Sequence, residues 1–100
     1  MERECFLCGS HDLIERHHIF GASNRKKSER LGLVVDLCHY CHNEPPLGVH
    51  HNKDVMLQLK RYGQKKAMLE QGWTVDEFRR EFGKNYLEEE QHDIQDRKPV

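Results

Sequence analysis

The sequence predicts a small α+β fold in which a structural metal ion supplies part of the stability. Two C-x-x-C pairs indicate a zinc site, two short apolar segments between them indicate β-strands, and the second half of the chain has helical periodicity. Hydrophobic residues make up 36% of the 100 residues and charged residues 33%. A core built from so few apolar residues is thin, and a bound metal is one way to stabilise such a domain.

The composition argues against a membrane or secreted protein. A membrane-spanning helix needs a run of about 18 apolar residues, and the sequence contains none. The N-terminal segment MERECFLCGS also lacks the apolar stretch of a signal peptide. We therefore expect a cytoplasmic protein, in which paired cysteines favour metal binding over disulfides.

The overall net charge of −1 conceals an uneven distribution. Residues 16–66 contain ten Lys or Arg and four Asp or Glu, a net charge of +6. Residues 67–100 contain five Lys or Arg and nine Asp or Glu, a net charge of −4. A basic first part suits contact with a phosphate backbone, and the acidic end is expected to point away from it.

The strands and loops are expected in the first half of the chain. Residues 17–20, His-His-Ile-Phe, predict a first strand, and residues 33–37 predict a second because they are rich in branched apolar side chains. Residues 21–32 are polar and basic and lack periodicity, which predicts a loop. Residues 42–48 contain two prolines and a glycine, which argue against a regular helix there.

A helical pattern begins near Asn52. The apolar residues at spacings near 3.6 are Val55, Met56, Leu59, Tyr62, Met68 and Leu69. Gly72 is the expected end of this helix. Thr74 and Glu77 have the spacing of a capping box and predict a second, short helix that Gly83 could end.

We expect one domain over residues 1–87. Within it, the two C-x-x-C pairs, here called the zinc knuckles (residues 5–8 and 38–41), and the core occupy about residues 5–71. The C-terminal helix occupies about residues 74–87. Residues 88–100 predict an acidic, flexible tail.

Two cysteine pairs with identical spacing predict a four-cysteine site. Cys5 and Cys8 form one pair, Cys38 and Cys41 form the other, and 29 residues separate the pairs. Two residues between cysteines let both sulfurs contact one ion, and two such pairs complete a tetrahedron. A site with four protein ligands is structural, and zinc is the expected ion, with iron as the alternative.

The eight histidines indicate a second metal site. His17 and His18 are adjacent, His42 follows Cys41 directly, and His50 comes eight residues later. Adjacent side chains on a strand point to opposite faces, so one histidine of the pair can bind an ion while the other faces a water. An ordinary imidazole, with a pKa of about 6.5, can accept a proton near neutral pH.

Together these residues resemble a known family. Arg16-His17-His18-Ile19, a loop, an apolar strand, and the Cys38–Cys41 pair followed by His42 resemble an HNH (ββα-metal) endonuclease. The version resembled is the small phage or prophage type with an added four-cysteine zinc site. The resemblance covers about residues 5–60 and implies a ββα-metal fold followed by C-terminal helices.

The resemblance implies a role for each histidine. His17 occupies the position of the family's first metal ligand, and His18 occupies the position of the general base. His42 corresponds to the ligand at the start of the family's helix.

Two positions depart from the family's pattern. The third ligand normally lies one helical turn further on, where this chain has Pro46. We therefore expect His50 to replace it, with His51 as the second choice. Asn24 is the expected substitute for the family's middle asparagine. The other candidates for that role are Asn43 and Asn52.

The reaction that the resemblance implies is hydrolysis of a DNA phosphodiester bond. One divalent ion, Mg2+, Mn2+, Ni2+ or Zn2+, would bind a non-bridging oxygen and the leaving 3′ oxygen, while His18 removes a proton from water. Basic residues beside the site are expected to contact DNA phosphates without reading sequence. These residues are Arg25, Lys26, Lys27 and Arg30.

The family's setting also implies a bacterial host cytoplasm and a partner such as a phage packaging or recombination protein, with the nuclease a monomer or dimer.

Two other functions stay open. A non-catalytic zinc module that binds nucleic acid would need the cysteines and the basic run but not the His17-His18 pair. A thiol-based redox or metal sensor would need exposed, low-pKa thiols instead of a saturated tetrahedron.

Overall fold

A computed structural model describes residues 3–87, and these fall into two compact units that divide between Leu59 and Lys60. The predicted acidic tail, residues 88–100, lies outside the described residues. The protein is a small mixed α/β structure with a two-stranded antiparallel sheet and four α-helices among the described residues. None of those helices combines the length and the apolar character needed to cross a bilayer.

The sheet of the first unit consists of β1 (Ile14–His18) and β2 (Val34–Cys38). The strands pair antiparallel, with His17 opposite Val35. The prediction of a first strand at residues 17–20 was wrong at both ends. Glu15 and Arg16 belong to β1 because their backbone pairs with β2, although their side chains are polar. The apolar residues alone therefore did not mark the bounds of the strand.

The segment 21–32 is not a loop, contrary to the prediction. It contains a 3-10 turn over Ala22–Asn24 and helix α1 (Arg25–Leu31). A tertiary contact anchors this short helix: the Ser28 hydroxyl is fully buried, accepts a hydrogen bond from the Phe20 amide and donates one to the Phe20 carbonyl. Periodicity could not reveal this short helix, because the one buried residue in it is the polar Ser28.

A second short helix, α2 (His39–Asn43), follows β2 directly. The expectation that residues 42–48 form no regular helix was therefore wrong for the first two of them, because the helix ends just before the prolines. The chain then turns back and forms a 3-10 turn over Val49–His51.

Both predicted C-terminal helices are present, although the second ends at residue 82 and not near residue 87. They are α3 (Lys53–Gln71) and α4 (Val75–Phe82). The Thr74 side chain accepts a hydrogen bond from the Glu77 amide, and the Glu77 carboxylate accepts one from the Thr74 amide, which is the predicted capping box. Gly83 ends α4 with a φ of 89°, a left-handed conformation that favours glycine.

Each unit has its own buried residues. In the first unit the residues at 2% exposure or less are Cys5, Ile19, Phe20, Ser28, Leu33, Leu37, Val49 and Leu59. In the second unit Phe78 and Phe82 are buried and stack with ring centroids 4.7 Å apart. Leu69 is 85% exposed, so the apolar periodicity located α3 but included a residue that the helix does not bury.

A buried glutamine orders the end of the second unit. Gln64 on α3 is fully buried; its amide nitrogen donates to the Asn85 side chain at 2.8 Å, and its oxygen accepts from the Tyr86 backbone amide at 2.8 Å. Both polar ends of the side chain are therefore satisfied, as burial requires.

We predict that Ser28→Ala destabilises the full-length protein. The substitution leaves the amide and the carbonyl of Phe20 without the hydroxyl that now bonds both, and a buried unsatisfied group costs about 1–3 kcal/mol. Urea unfolding followed by circular dichroism measures the change. Ser23→Ala, at an exposed position of the preceding turn, is the matched control and should change stability by less than about 0.5 kcal/mol. Equal effects of the two substitutions would contradict the role given to Ser28.

Candidate metal centres

The four cysteines that the sequence singled out lie together. One sulfur from each residue, Cys5, Cys8, Cys38 and Cys41, lies within 4.8 Å of every other. The Sγ atoms of Cys8 and Cys38 are 3.6 Å apart. Two sulfurs bound to one tetrahedral zinc ion at the usual bond length lie roughly 3.8 Å apart. The four-cysteine site is therefore compatible with a zinc ion, and none of its cysteines forms a disulfide.

Backbone geometry prepares the first cysteine pair for this role. The Cys8 amide donates to the Cys5 sulfur at 3.4 Å, and the Gly9 amide donates to the Cys5 carbonyl at 2.9 Å. Gly9 has a φ of 81°, which only glycine adopts without strain. The second pair comes from a different arrangement: Cys38 is the last residue of β2, and Cys41 lies on α2.

The surroundings of Cys5 and Cys41 shift the pKa values of these two thiols in opposite directions. Burial raises the pKa of Cys5, but backbone hydrogen bonds from Cys38, Cys8 and Leu7 outweigh it and lower that pKa to about 6. For Cys41, burial together with the neighbouring sulfurs raises the pKa strongly. Four thiolates so close together repel one another unless a cation balances their charge.

Three histidines form a second cluster, the histidine site, which consists of His17, His42 and His50. One ring nitrogen from each lies within 4.8 Å of the others. The rings meet mostly edge to face, with centroids 4.7 to 5.3 Å apart. His17 on β1 is 4% exposed, His42 on α2 is half-buried, and His50 on the Val49–His51 turn is exposed.

A tight turn brings His50 back to His42. The Gly48 amide donates to the Glu44 carbonyl at 2.7 Å, and a Cβ atom at Gly48 would come within 2.6 Å of the Glu44 backbone nitrogen. Only glycine fits this close approach of two backbone segments. Val49, at 1% exposure, then anchors the turn in the core, so His50 extends from a fixed position.

Glu15 holds His42 in an orientation suited to metal binding. Its Oε1 atom accepts a hydrogen bond from Nδ1 of His42 at 2.7 Å. Because Nδ1 carries the proton, Nε2 has the lone pair, and Nε2 is the atom that lies 3.1 Å from Nε2 of His50. A carboxylate behind a ligating imidazole is the usual arrangement in metal sites.

Further hydrogen bonds fix Glu15 itself. Its Oε2 atom accepts from Nδ1 of His39 at 3.0 Å, and Oε1 also accepts from the Asn43 amide at 3.3 Å. The hydrogen bonds from His42 and His39 lower the pKa of Glu15, so it is a carboxylate at neutral pH. The second nitrogen of His39 donates to Glu44, and these two carboxylates raise the pKa of His39.

The donor set of the histidine site fits a divalent ion. Two imidazole nitrogens on one ion lie roughly 2.9–3.4 Å apart for ordinary bond lengths, and the observed separation between His42 and His50 is 3.1 Å. Burial and the nearby His42 and His51 lower the pKa of His50, which favours the neutral, ligating form. Three protein ligands leave coordination positions for water or substrate, unlike the four-cysteine site.

An open cleft of about 340 Å³ lies against the histidine site. His18 lines this cleft, and its Nε2 atom lies 2.7 Å from Oε1 of Glu29 on α1. Two arginines, Arg16 and Arg25, line it as well. The other lining residues are His17, Gly21, Ala22, His42 and His50.

The predicted DNA-contacting residues and the candidates for the middle asparagine occupy the following positions. Arg25, Lys26, Lys27 and Arg30 all lie on α1 instead of a loop, and Lys27 is half-buried while the other three are exposed. Asn24 immediately precedes that helix, at its N-cap position. The alternatives for particular roles lie elsewhere: His51 is exposed beside His50, Asn43 contacts Glu15, and the Asn52 side chain accepts from the Val55 amide.

Two carboxylates of the site, Glu15 and Glu29, were not predicted from the sequence. Glu15 lies two residues before His17 on the same strand, and alternation would have placed both on one face had β1 been assigned correctly. No such signal existed for Glu29, because its helix was predicted as a loop.

Comparisons with protein-family models, with curated proteins and with solved structures found no match.

We predict one tightly held zinc ion per chain at the four-cysteine site. Elemental analysis of the purified, dialysed protein measures it. Cys38→Ser should lose this zinc and much of the folded signal, because the site joins the N-terminal knuckle to the end of β2. His42→Ala is the control and should keep the zinc. Wild-type protein without zinc, or zinc loss in His42→Ala alone, would contradict the assignment.

We also predict that Glu15→Gln weakens divalent-ion binding at the histidine site by about 10- to 100-fold, because a neutral amide orients the His42 ring less strongly. Calorimetric titration of the zinc-containing protein with Ni2+ measures the affinity. Glu44→Gln is the matched control, since Glu44 hydrogen-bonds His39 and not His42. Equal affinities for Glu15→Gln and wild type would refute the positioning role.

Proposed function

We propose that this protein is a metal-dependent HNH-type endonuclease that hydrolyses DNA phosphodiester bonds. The observation that carries the proposal is the meeting of two features in one cleft: a three-histidine cluster able to hold a divalent ion, and His18 beside it. Both features follow the order of residues that resembles the HNH family.

The histidine site is the proposed catalytic metal centre. His17, His42 and His50 would hold one divalent ion such as Mg2+, Mn2+, Ni2+ or Zn2+. When bound, the ion would supply Lewis-acid stabilisation of charge on a phosphate oxygen. Glu15 supports this centre because it keeps the Nε2 lone pair of His42 directed toward His50.

His18 is the proposed general base. It lines the cleft and its side chain is 13% exposed, so water can reach it while most of the ring is held by its surroundings. Its role is to accept a proton from the attacking water. The opposite faces of β1 separate the two tasks, since Glu15 and His17 contact the His42 side and Arg16 and His18 contact Glu29.

The charge around the cleft suits a nucleic-acid backbone. Arg25 lines the cleft, and the exposed side chains of Lys26 and Arg30 lie on the same helix α1. Positive side chains of this kind bind phosphates irrespective of base sequence. We therefore propose DNA as the substrate, with specificity supplied by a partner such as a phage packaging or recombination protein in a bacterial host.

The four-cysteine site has a structural role in this proposal. Cys38 and Cys41 lie on either side of the start of α2, and His42 follows Cys41. A zinc ion held by these cysteines would fix the helix that presents His42. One cleft cuts one strand, so a double-strand break would need a second copy or a partner.

The proposal predicts nicking of supercoiled plasmid DNA in the presence of a divalent ion, and a loss of about 100-fold or more in His18→Ala. Gel assays with Mn2+, Mg2+, Ni2+ and Zn2+ measure the rate. His11→Ala is the matched control and should nick like the wild type, since His11 is exposed and donates to the Arg3 carbonyl. DNA binding without nicking under every ion would favour the non-catalytic zinc module, and equal nicking by His18→Ala would exclude His18 as the base.

A further inference from the structure

We propose that Glu29 is the positioning residue for His18, fixing which of its ring nitrogens carries the proton. This inference rests on the proposed function for its catalytic consequence, but the orientation of His18 can be tested without any activity. No sequence pattern pointed to Glu29, and the HNH resemblance assigns it no role.

Glu29 joins two side chains of β1. Its Oε1 atom lies 2.7 Å from Nε2 of His18, and its Oε2 atom accepts a hydrogen bond from the Arg16 guanidinium. Arg16 and His18 are two residues apart on one strand, so their side chains lie side by side on the same face. The carboxylate spans that pair and uses one oxygen for each.

The contact determines the protonation pattern of His18. A carboxylate only accepts hydrogen bonds, so Nε2 of His18 must be the donor in its bond to Glu29. In the neutral ring, Nδ1 then has the lone pair. Nδ1 is consequently the atom of His18 that can accept a proton from water in the cleft.

Glu29 itself is held in place by its neighbour in the chain. Ser28 is fully buried and bonds both the amide and the carbonyl of Phe20, two residues beyond His18. The Ser28 carbonyl also accepts from the Leu33 amide at 2.8 Å. Helix α1 is thus fixed against the end of β1, so Glu29 meets His18 at a defined distance.

The charge on Glu29 supports the same arrangement. Hydrogen bonds from His18 and Arg16 lower the pKa of Glu29, so the group is a carboxylate at neutral pH. The Arg16 guanidinium has only hydrogen-bond donors, so its partner at residue 29 must be an oxygen atom.

Glu29→Gln is therefore an informative substitution. The amide oxygen would pair with Arg16, and the amide nitrogen would face Nε2 of His18 as a donor. His18 would then have to accept at Nε2 and carry its proton on Nδ1, the opposite tautomer. A structural role alone would not change the tautomer in this way.

Long-range proton–nitrogen NMR of the zinc-containing, histidine-labelled full chain reads the tautomer directly, and loss of the signal in His18→Gln identifies His18. We expect Nε2–H in the wild type and a shift of the population to Nδ1–H in Glu29→Gln. Glu70→Gln, which removes a carboxylate from an exposed ion pair with Lys66, is the matched control and should leave His18 unchanged. A wild type with Nδ1–H, or an unchanged tautomer in Glu29→Gln, overturns the proposal.

Plasmid nicking supplies the second readout. In Glu29→Gln we expect kcat to fall about 100-fold or more with KM for DNA nearly unchanged, and Glu29→Asp to restore part of the rate because it keeps a carboxylate. If kcat of Glu29→Gln stays as close to the wild-type value as kcat of the control Glu70→Gln, the catalytic role of Glu29 is contradicted. If the wild type never nicks, the proposed function fails, while the NMR result still decides whether Glu29 positions His18.

Discussion

The backbone hydrogen bonds between β1 and β2 hold Cys38 opposite Ile14 at one end of the sheet and Val34 opposite His18 at the other. This register fixes the two candidate metal centres relative to each other. Cys38, at the end of β2, belongs to the four-cysteine site. His17, a member of the histidine site, and His18, the proposed base, are the last two residues of β1. A slip of one residue would move every side chain of a strand to the opposite face, so both centres depend on this pairing.

Helix α2 links the two centres over a very short distance in the chain. Cys41 belongs to the four-cysteine site and His42, the next residue, belongs to the histidine site. An ion at the cysteines would therefore stabilise the fold and also limit the motion of His42. In a chain with a thin core, one bound ion can both stabilise the fold and hold a neighbouring site in its geometry. The carboxylates Glu15 and Glu29 complete this arrangement, each orienting one histidine.

The sequence predicted the parts of the site that depend on spacing. The four cysteines and the cluster of His17, His42 and His50 come together as expected. Gly48 permits the tight turn that returns the chain toward His42. The helices with caps and periodicity, α3 and α4, were also predictable. Helix α1 was not, because the hydrogen bonds between the buried Ser28 hydroxyl and Phe20 are tertiary contacts that leave no periodic pattern in the sequence. Glu29 was missed for that reason, and so was its contact with His18.

The proposed function requires that the three histidines bind a metal ion at a site distinct from the four cysteines. This can be tested with a crystal structure of the zinc-containing protein soaked in Mn2+ or Ni2+, with anomalous difference maps at the absorption edge of each metal. We expect zinc among the four sulfurs and the soaked ion within bonding distance of His17, His42 and His50. A soaked ion bound only elsewhere, or no ion at these histidines at saturating concentration, would contradict it.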